Sequence, residues 1–315
     1  MSYVGPDFDP PQPRRSRRRP LTITVAALVP VALVGWLVYE AVADTGDSSD
    51  GAAPATATSA SRSATASPTA DGKRSASSSP TAPTAGGPAA SGPLKGKVVL
   101  IDPGHNPGNF RHPSDINRKV NIGTNRKECD TTGAATNSGY PEAQFTLDVA
   151  RRLRPLLQQQ GATVKFTQDG DRAWGPCVNE RARMGNEAHA DAAISIHADG
   201  AAAGDRGFHV ILPASVHEGA ADTRPIVAPS RDLGERIAGS FVRVTKSAPS
   251  NYLGNGTGVV VRGDLGGLNL STVPKVFIEC GNMRDSKDAA LLTSGAWRQK
   301  AAQGISEGIV SFLHG

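Results

Sequence analysis

The sequence predicts an α/β domain built on a central, mostly parallel or mixed sheet of about six strands flanked by helices, preceded by a transmembrane segment and a disordered linker. Three observations lead there. Short runs rich in Val, Ile and Leu recur from residue 97 to the C-terminus, and they are continuous rather than strictly alternating, as expected of strands covered on both faces. Amphipathic helical stretches are interleaved with them, the order that builds a sheet between helices. Residues 40–94, directly before them, lack the apolar content to form a core.

Five arginines lie in PRRSRRRP within residues 1–20, and the nineteen residues from Leu21 to Tyr39 are uncharged. A helix of that length, at about 1.5 Å per residue, approaches the roughly 30 Å of a bilayer's hydrocarbon. Arginines before the span, with Glu40, Asp44, Asp47 and Asp50 after it, orient 1–20 to the cytoplasm and the rest outside. Ala41 and Ala43 would also suit signal cleavage, but 21–39 exceeds the length of a signal core, which favours a retained signal-anchor. Residues 40–94 are dominated by Ala, Ser, Thr, Pro and Gly, too little apolar surface to offset ordering, so they are expected to form a disordered tether.

Residues 95–315 can bury one substantial core. The pI of about 9.2 owes much to the N-terminal arginines, and the basic residues of 95–315 are scattered. That excludes a nucleic-acid-binding patch as the main reading.

The elements follow in order. KVVLID (97–102) is the first strand, and EAQFTLDVARRLRPLLQQQ from Glu142 is a helix, with Phe145, Val149, Leu153 and Leu156 on one stripe and Gly161 as its stop. ATVKFT (162–167) returns as a strand, NERARMGNEAHA (179–190) as a helix, and AAISIHA (192–198) and GFHVIL (207–212) as strands. The helix 230–244, the strands GVVVR (258–262) and KVFIEC (275–280), and the helix 295–313 complete the domain. The glycine-rich GNGTGVVVRGDLGGLN reads as ligand-facing loops or as ordinary turns. Neither a GxGxxG after the first strand nor a GK[ST] occurs, which excludes the common nucleotide-binding loops.

Ligands in such folds bind beyond the carboxyl ends of strands. His105 follows VLIDPG, His197 lies in ISIHADG, Glu279 in VFIECGNM, and Glu142 opens the first long helix. Two imidazoles and a carboxylate with a position left for water form the ligand set of a catalytic zinc site. Singly the residues say less: a histidine can serve a turn or a core, and an acid in a helix's first turn suits the macrodipole anywhere. Glu279 says more, since a carboxylate after Val276, Phe277 and Ile278 is costly unless paired or used. Cys129 and Cys177, in polar loop-like surroundings of an exported domain, are expected to form a disulfide, with Cys280 a thiol in a buried strand.

Taken in order, VLIDPGH, PEAQFTLDVARRL, ISIHADG and PKVFIECGNM resemble the zinc-dependent N-acetylmuramoyl-L-alanine amidases of the amidase type 3 family, bacterial cell-wall hydrolases, over Lys97 to Leu313. The resemblance implies that His105, Glu142 and His197 bind Zn2+, that Glu279 is catalytic, and that the substrate is peptidoglycan or a muropeptide. Gln168 stands where the family often has an arginine, and CGNM replaces a common GF after the catalytic glutamate. Two other functions share the ligand set: a related metallohydrolase with peptidase or deacetylase specificity, and a catalytically silent wall-binding regulator. Asp102 could support a ligating imidazole, but its place before Pro-Gly favours fastening the loop through backbone amides. His209 is expected to point across the sheet from Phe208 and Val210, and His112, His189, His217 and His314 to face solvent.

Overall fold

The computed structural model describes residues 92–315. The cytoplasmic stretch 1–20, the span 21–39 and nearly all of the linker therefore lie outside the described residues. Among the described residues no helix is long and apolar enough to cross a membrane. The folded domain begins slightly before the expected boundary, because Leu94 is fully buried and its N–H donates to the carbonyl of Gln160.

Six strands form the central sheet: β1 (Val98–Pro103), β2 (Thr163–Phe166), β3 (Ala192–Asp199), β4 (His209–Pro213), β5 (Val259–Arg262) and β6 (Lys275–Asn282). Their order is β2-β1-β3-β6-β4-β5. The first four in that row are parallel, while β4 pairs antiparallel with β6 and parallel with β5, so the sheet is mixed. The main helices are α1 (Glu142–Gln159), α2 (Val178–Glu187), α3 (Arg224–Thr245), α4 (Ser286–Leu292) and α5 (Gly295–His314). α3 starts six residues before the expected Ser230. Pro225 stands in its first turn and Pro229 inside it, where the missing N–H costs one helical bond without ending the helix.

One face of the sheet carries the main core. Val99, Ile101, Ile194, Ile196, Val276 and Ile278 cluster there with Phe145 and Leu153 of α1, Ile237 and Phe241 of α3, and Ile305 of α5. Burying each such side chain stabilises by about 1.5–3 kcal/mol before ordering costs. Side chains alternate along a strand, so the intervening positions of the same strands meet on the opposite face. These are Asp102, Ser195, His197, Lys275, Phe277 and Glu279, joined from β4 by His209. Part of that face is roofed by Val178 at the start of α2 and by the short helix Gly266–Asn269, which line one cavity with Phe277 and His197.

Cys129 and Cys177 are joined in a disulfide, and Cys280 is a buried free thiol. The bridge ties the loop after a small hairpin (Lys119–Asn121 with Arg126–Glu128) to the N-cap of α2. Strands of three residues have too little pattern to be foreseen from sequence.

Candidate metal centre

The structure brings His105, Glu142 and His197 together. β1 ends at Pro103, and His105 follows in the left-handed region at φ 61°, a strained conformation for a residue with a Cβ. Its carbonyl is held there by donors from Arg181 Nη2 at 3.0 Å and Gln168 Nε2 at 3.1 Å. Gly104 lets the other histidine in, since a Cβ at that position would lie 2.3 Å from His197 Cε1. Glu142 is the first residue of α1, and its carboxylate accepts from the N–H of Ala134 at 2.7 Å and of Ala198 at 3.1 Å. The His197 ring stacks on Phe277, with centroids 5.2 Å apart and planes 4° from parallel.

Glu142 Oε1 lies 3.3 Å from His105 Nε2 and 3.0 Å from His197 Nδ1. The three potential ligand atoms lie within 4.8 Å of one another, a cluster that could hold a metal ion. Electrostatics favour positive charge here. Burial alone would lower the His105 pKa, yet the carboxylates of Glu142 and Asp130 raise it well above its usual value. Burial would raise Glu142, yet His105 and then His197 hold its carboxyl well below the usual range.

Glu279 shares a cavity of about 310 Å³ with His105, Glu142, His197 and Arg262. Its Oε2 is buried without a hydrogen-bond partner. Burial, then the Glu142 and Asp199 carboxylates, push its pKa well above the ordinary value. His105 and His197 also border a second cavity of about 200 Å³, lined by Leu265, Gly266, Gly267 and Phe277, so the second half of the glycine-rich stretch lies beside the cluster. A larger cavity of about 470 Å³ around Arg206 and Trp297 contains none of the four expected site residues.

Asp102 requires a correction. It accepts from Thr167 Oγ1, Ser195 Oγ, Arg181 Nη1 and Lys275 Nζ, so it organises buried side chains and does not fasten its loop through backbone amides. Arg181, Asp130, Ser195 and Lys275 were not singled out by sequence reasoning. Arg181 lies in a polar helical stretch that reads as a solvated face, but it is 4 % exposed and all its guanidinium nitrogens donate. The available signals were the polar residues set into the apolar runs of β3 and β6 and the closeness of Asp130 and Arg181 to the two expected disulfide partners. Gln168 is buried, donates to the carbonyl of His105 and accepts from the N–H of Gly170. In CGNM, Asn282 donates to the carbonyls of Ala202 and Asp205, and Met283 joins the core. His209 is buried with Nδ1 unpartnered, while His189, His217 and His314 are exposed and His112 is half-buried beside Asp115.

The family described as N-acetylmuramoyl-L-alanine amidase matches residues 99–311. The N-acetylmuramoyl-L-alanine amidase Rv3717 of Mycobacterium tuberculosis is 39 % identical over 221 residues, which cover 70 % of this chain and 88 % of that protein. The crystal structure of the N-acetylmuramyl-L-alanine amidase Ami1 from Mycobacterium smegmatis matches with a TM-score of 0.64 at 38 % identity, covering 71 % of this chain and 99 % of that one. The amidase AmiC2 of Nostoc punctiforme shares the fold at a TM-score of 0.52 and 20 % identity, over 69 % of this chain and 97 % of its own.

Proposed function

The chain belongs to the N-acetylmuramoyl-L-alanine amidase family and hydrolyses the amide between N-acetylmuramic acid and L-alanine in peptidoglycan; from that premise we propose that His105, Glu142 and His197 hold Zn2+ and that Glu279 is the general base. The observation that carries the assignment is the convergence of three ligand atoms from the loop after β1, from α1 and from β3 on a cavity that also contains Glu279. The donor set fits zinc, because two imidazole nitrogens and one carboxylate oxygen leave a position open. A zinc ion bound there would polarise the scissile carbonyl and lower the pKa of a bound water.

The protein's own groups supply the rest. Glu279 Oε2, having no partner in the fold, is free to take a proton from the attacking water and return it to the departing alanine nitrogen. A carboxylate whose proton affinity is raised by burial and neighbouring acids suits that exchange. Phe277 supports the His197 ring, and Gly104 leaves the ring its place. Export and anchoring through 21–39, with 40–94 as the tether, belong to the same proposal. N-terminal sequencing of the protein recovered from membranes and culture medium tests it: a chain beginning after Ala43 in the medium would replace the anchor with a cleaved signal.

Mass spectrometry of digested cell wall tests the reaction. New L-alanine N-termini beside intact disaccharides are the expected products; free glucosamine would indicate a deacetylase instead.

A further inference from the structure

Both proposed imidazole ligands are connected to one buried carboxylate. Asp102 is 1 % exposed and sits at the end of β1. Its Oδ2 accepts from Ser195 Oγ at 2.9 Å and its Oδ1 from Arg181 Nη1 at 2.7 Å. Each of these two partners continues to a different histidine.

Ser195 Oγ lies 3.1 Å from His197 Nε2. A hydroxyl has one proton, and here it points to Asp102, so the oxygen must accept an N–H from the imidazole. That leaves Nδ1, the atom facing Glu142, with its lone pair free. On the other side, Arg181 Nη2 donates at 2.9 Å to Asp130 Oδ2. Asp130 Oδ1 lies 3.2 Å from His105 Nδ1, which also faces the Thr131 carbonyl at 3.1 Å. A carboxylate and a carbonyl only accept, and the Thr131 hydroxyl, farther away at 3.3 Å, can accept as well, so Nδ1 carries the proton and Nε2 is left with its lone pair.

The network is closed in charge, since Lys275 and Arg181 balance Asp102 and Asp130 and all four are at most 5 % exposed. Every hydrogen bond in it constrains the next. Arg181 also donates to the carbonyls of Pro103 and His105, so the same guanidinium fixes both the His105 backbone and the carboxylate that orients its ring. The planar fork of arginine permits this, and a lysine could not reproduce it.

Resting on the assignment of His105 and His197 as metal ligands, we propose that Asp102 is the positioning residue for both rings, acting through two arms, Ser195 to His197 and Arg181 with Asp130 to His105. The arms set opposite tautomers: His105 meets the ion through Nε2 and His197 through Nδ1. A ring flipped against its arm would present an N–H to the cation instead of a lone pair, and outer partners of this kind commonly change metal affinity by about 10–100-fold.

The test measures zinc affinity, by competition with a chromophoric chelator, in Ser195→Ala, Asp130→Asn and the double variant of the described domain within the full chain. It adds imidazole 15N spectra of the zinc-loaded wild type. Each single variant should weaken zinc about 10–100-fold while the metal-free protein still unfolds cooperatively, and the double variant should depart from the product of the two losses, because both arms run through Asp102. Zinc affinity within about threefold of wild type in either single variant overturns the proposal. So does a spectrum placing the proton on His105 Nε2 or His197 Nδ1, a result that decides even if a variant fails to fold. His105→Ala and His197→Ala separate the two levels. If they lose zinc while the arm variants keep it, only the arms are wrong; if they keep zinc, the ligand assignment itself is wrong.

Discussion

Glu279 and His197 are register partners on the adjacent parallel strands β6 and β3. The sheet itself therefore sets the spacing between the proposed base and one metal ligand, and their side chains emerge on the same face. The register breaks directly after Glu279 and resumes at Asn282 with Asp199, an irregularity of the kind found beside active sites.

The pairing gives the first prediction. Glu279→Gln keeps the shape of the side chain and the register but removes the proton acceptor. Muropeptide hydrolysis should fall by about 10²–10⁴-fold with zinc content unchanged, measured by product chromatography and metal analysis on one preparation. Wild-type turnover in that variant would remove Glu279 from the reaction.

Metal removal should be visible without any substrate. The ligand atoms come from the loop after β1, from α1 and from β3, distant in sequence, so the unfolded chain offers no comparable site and zinc stabilises only the fold. At free zinc of about 100 times the dissociation constant the gain is about 2.7 kcal/mol. Thermal unfolding should shift upward with zinc and return after chelation, and His197→Ala should abolish the shift.

His105, Glu142, His197 and Glu279 stood out because each places a reactive group where an apolar strand or a helix begins or ends, and the six strands because their short runs are rich in β-branched and aliphatic residues. Lys275 and Ser195 did not stand out, although AISIHA places Ser195 and His197 on one face and PKVFIEC places Lys275 and Glu279 on either side of Phe277; the runs read as continuous because both faces of the sheet are buried. Asp130 and Arg181 were hidden for a different reason. Their burial depends on each other and on Asp102, and a mutual ion pair across 51 residues has no local pattern. The hairpin at 119–128 and the early start of α3 are local features whose turn and proline signals pointed elsewhere.

Gly104 yields a steric prediction. An added methyl would lie 2.3 Å from His197 Cε1, closer than packing allows, so the imidazole must move off Phe277 or the β1 loop must shift. Gly104→Ala should cost about 1–3 kcal/mol, as overpacking in a filled interior does, and should weaken zinc binding together with activity. Urea denaturation and zinc titration of the same variant check this. Full zinc affinity in a stable variant would show that the loop has room the structure does not display.

The disulfide ties function to redox state. Cys129 precedes Asp130 directly, and Cys177 caps the helix that carries Arg181, so the bridge holds together the two elements that meet at that ion pair. Its 48-residue separation implies stabilisation of about 2–4 kcal/mol. Under non-reducing denaturing conditions alkylation should add one label, on Cys280. Reduction should lower the urea midpoint and also weaken zinc binding. Three labels without reductant would show that the bridge does not form in solution.

The acid limit of stability should depend on Asp102. Burial by itself would raise its carboxyl pKa, but Lys275 and Arg181, with Thr167, hold it far below the ordinary carboxylate range. The sign follows from linkage. The folded state keeps Asp102 ionised at pH values where the unfolded chain, with a pKa near about 3.9, takes up a proton, so the stabilisation is complete above that value. It is lost as pH falls below about 3.9 toward the lower folded pKa. In Asp102→Asn the acid limb attributable to this group should disappear. The variant should also be less stable at pH 7 by about 3–5 kcal/mol, because Lys275 and Arg181 lose a buried counter-charge. Urea unfolding of metal-free protein from pH 7 to pH 2 isolates the effect from zinc release. An unchanged slope below pH 4 in the variant would mean that other carboxylates, and not Asp102, govern acid unfolding.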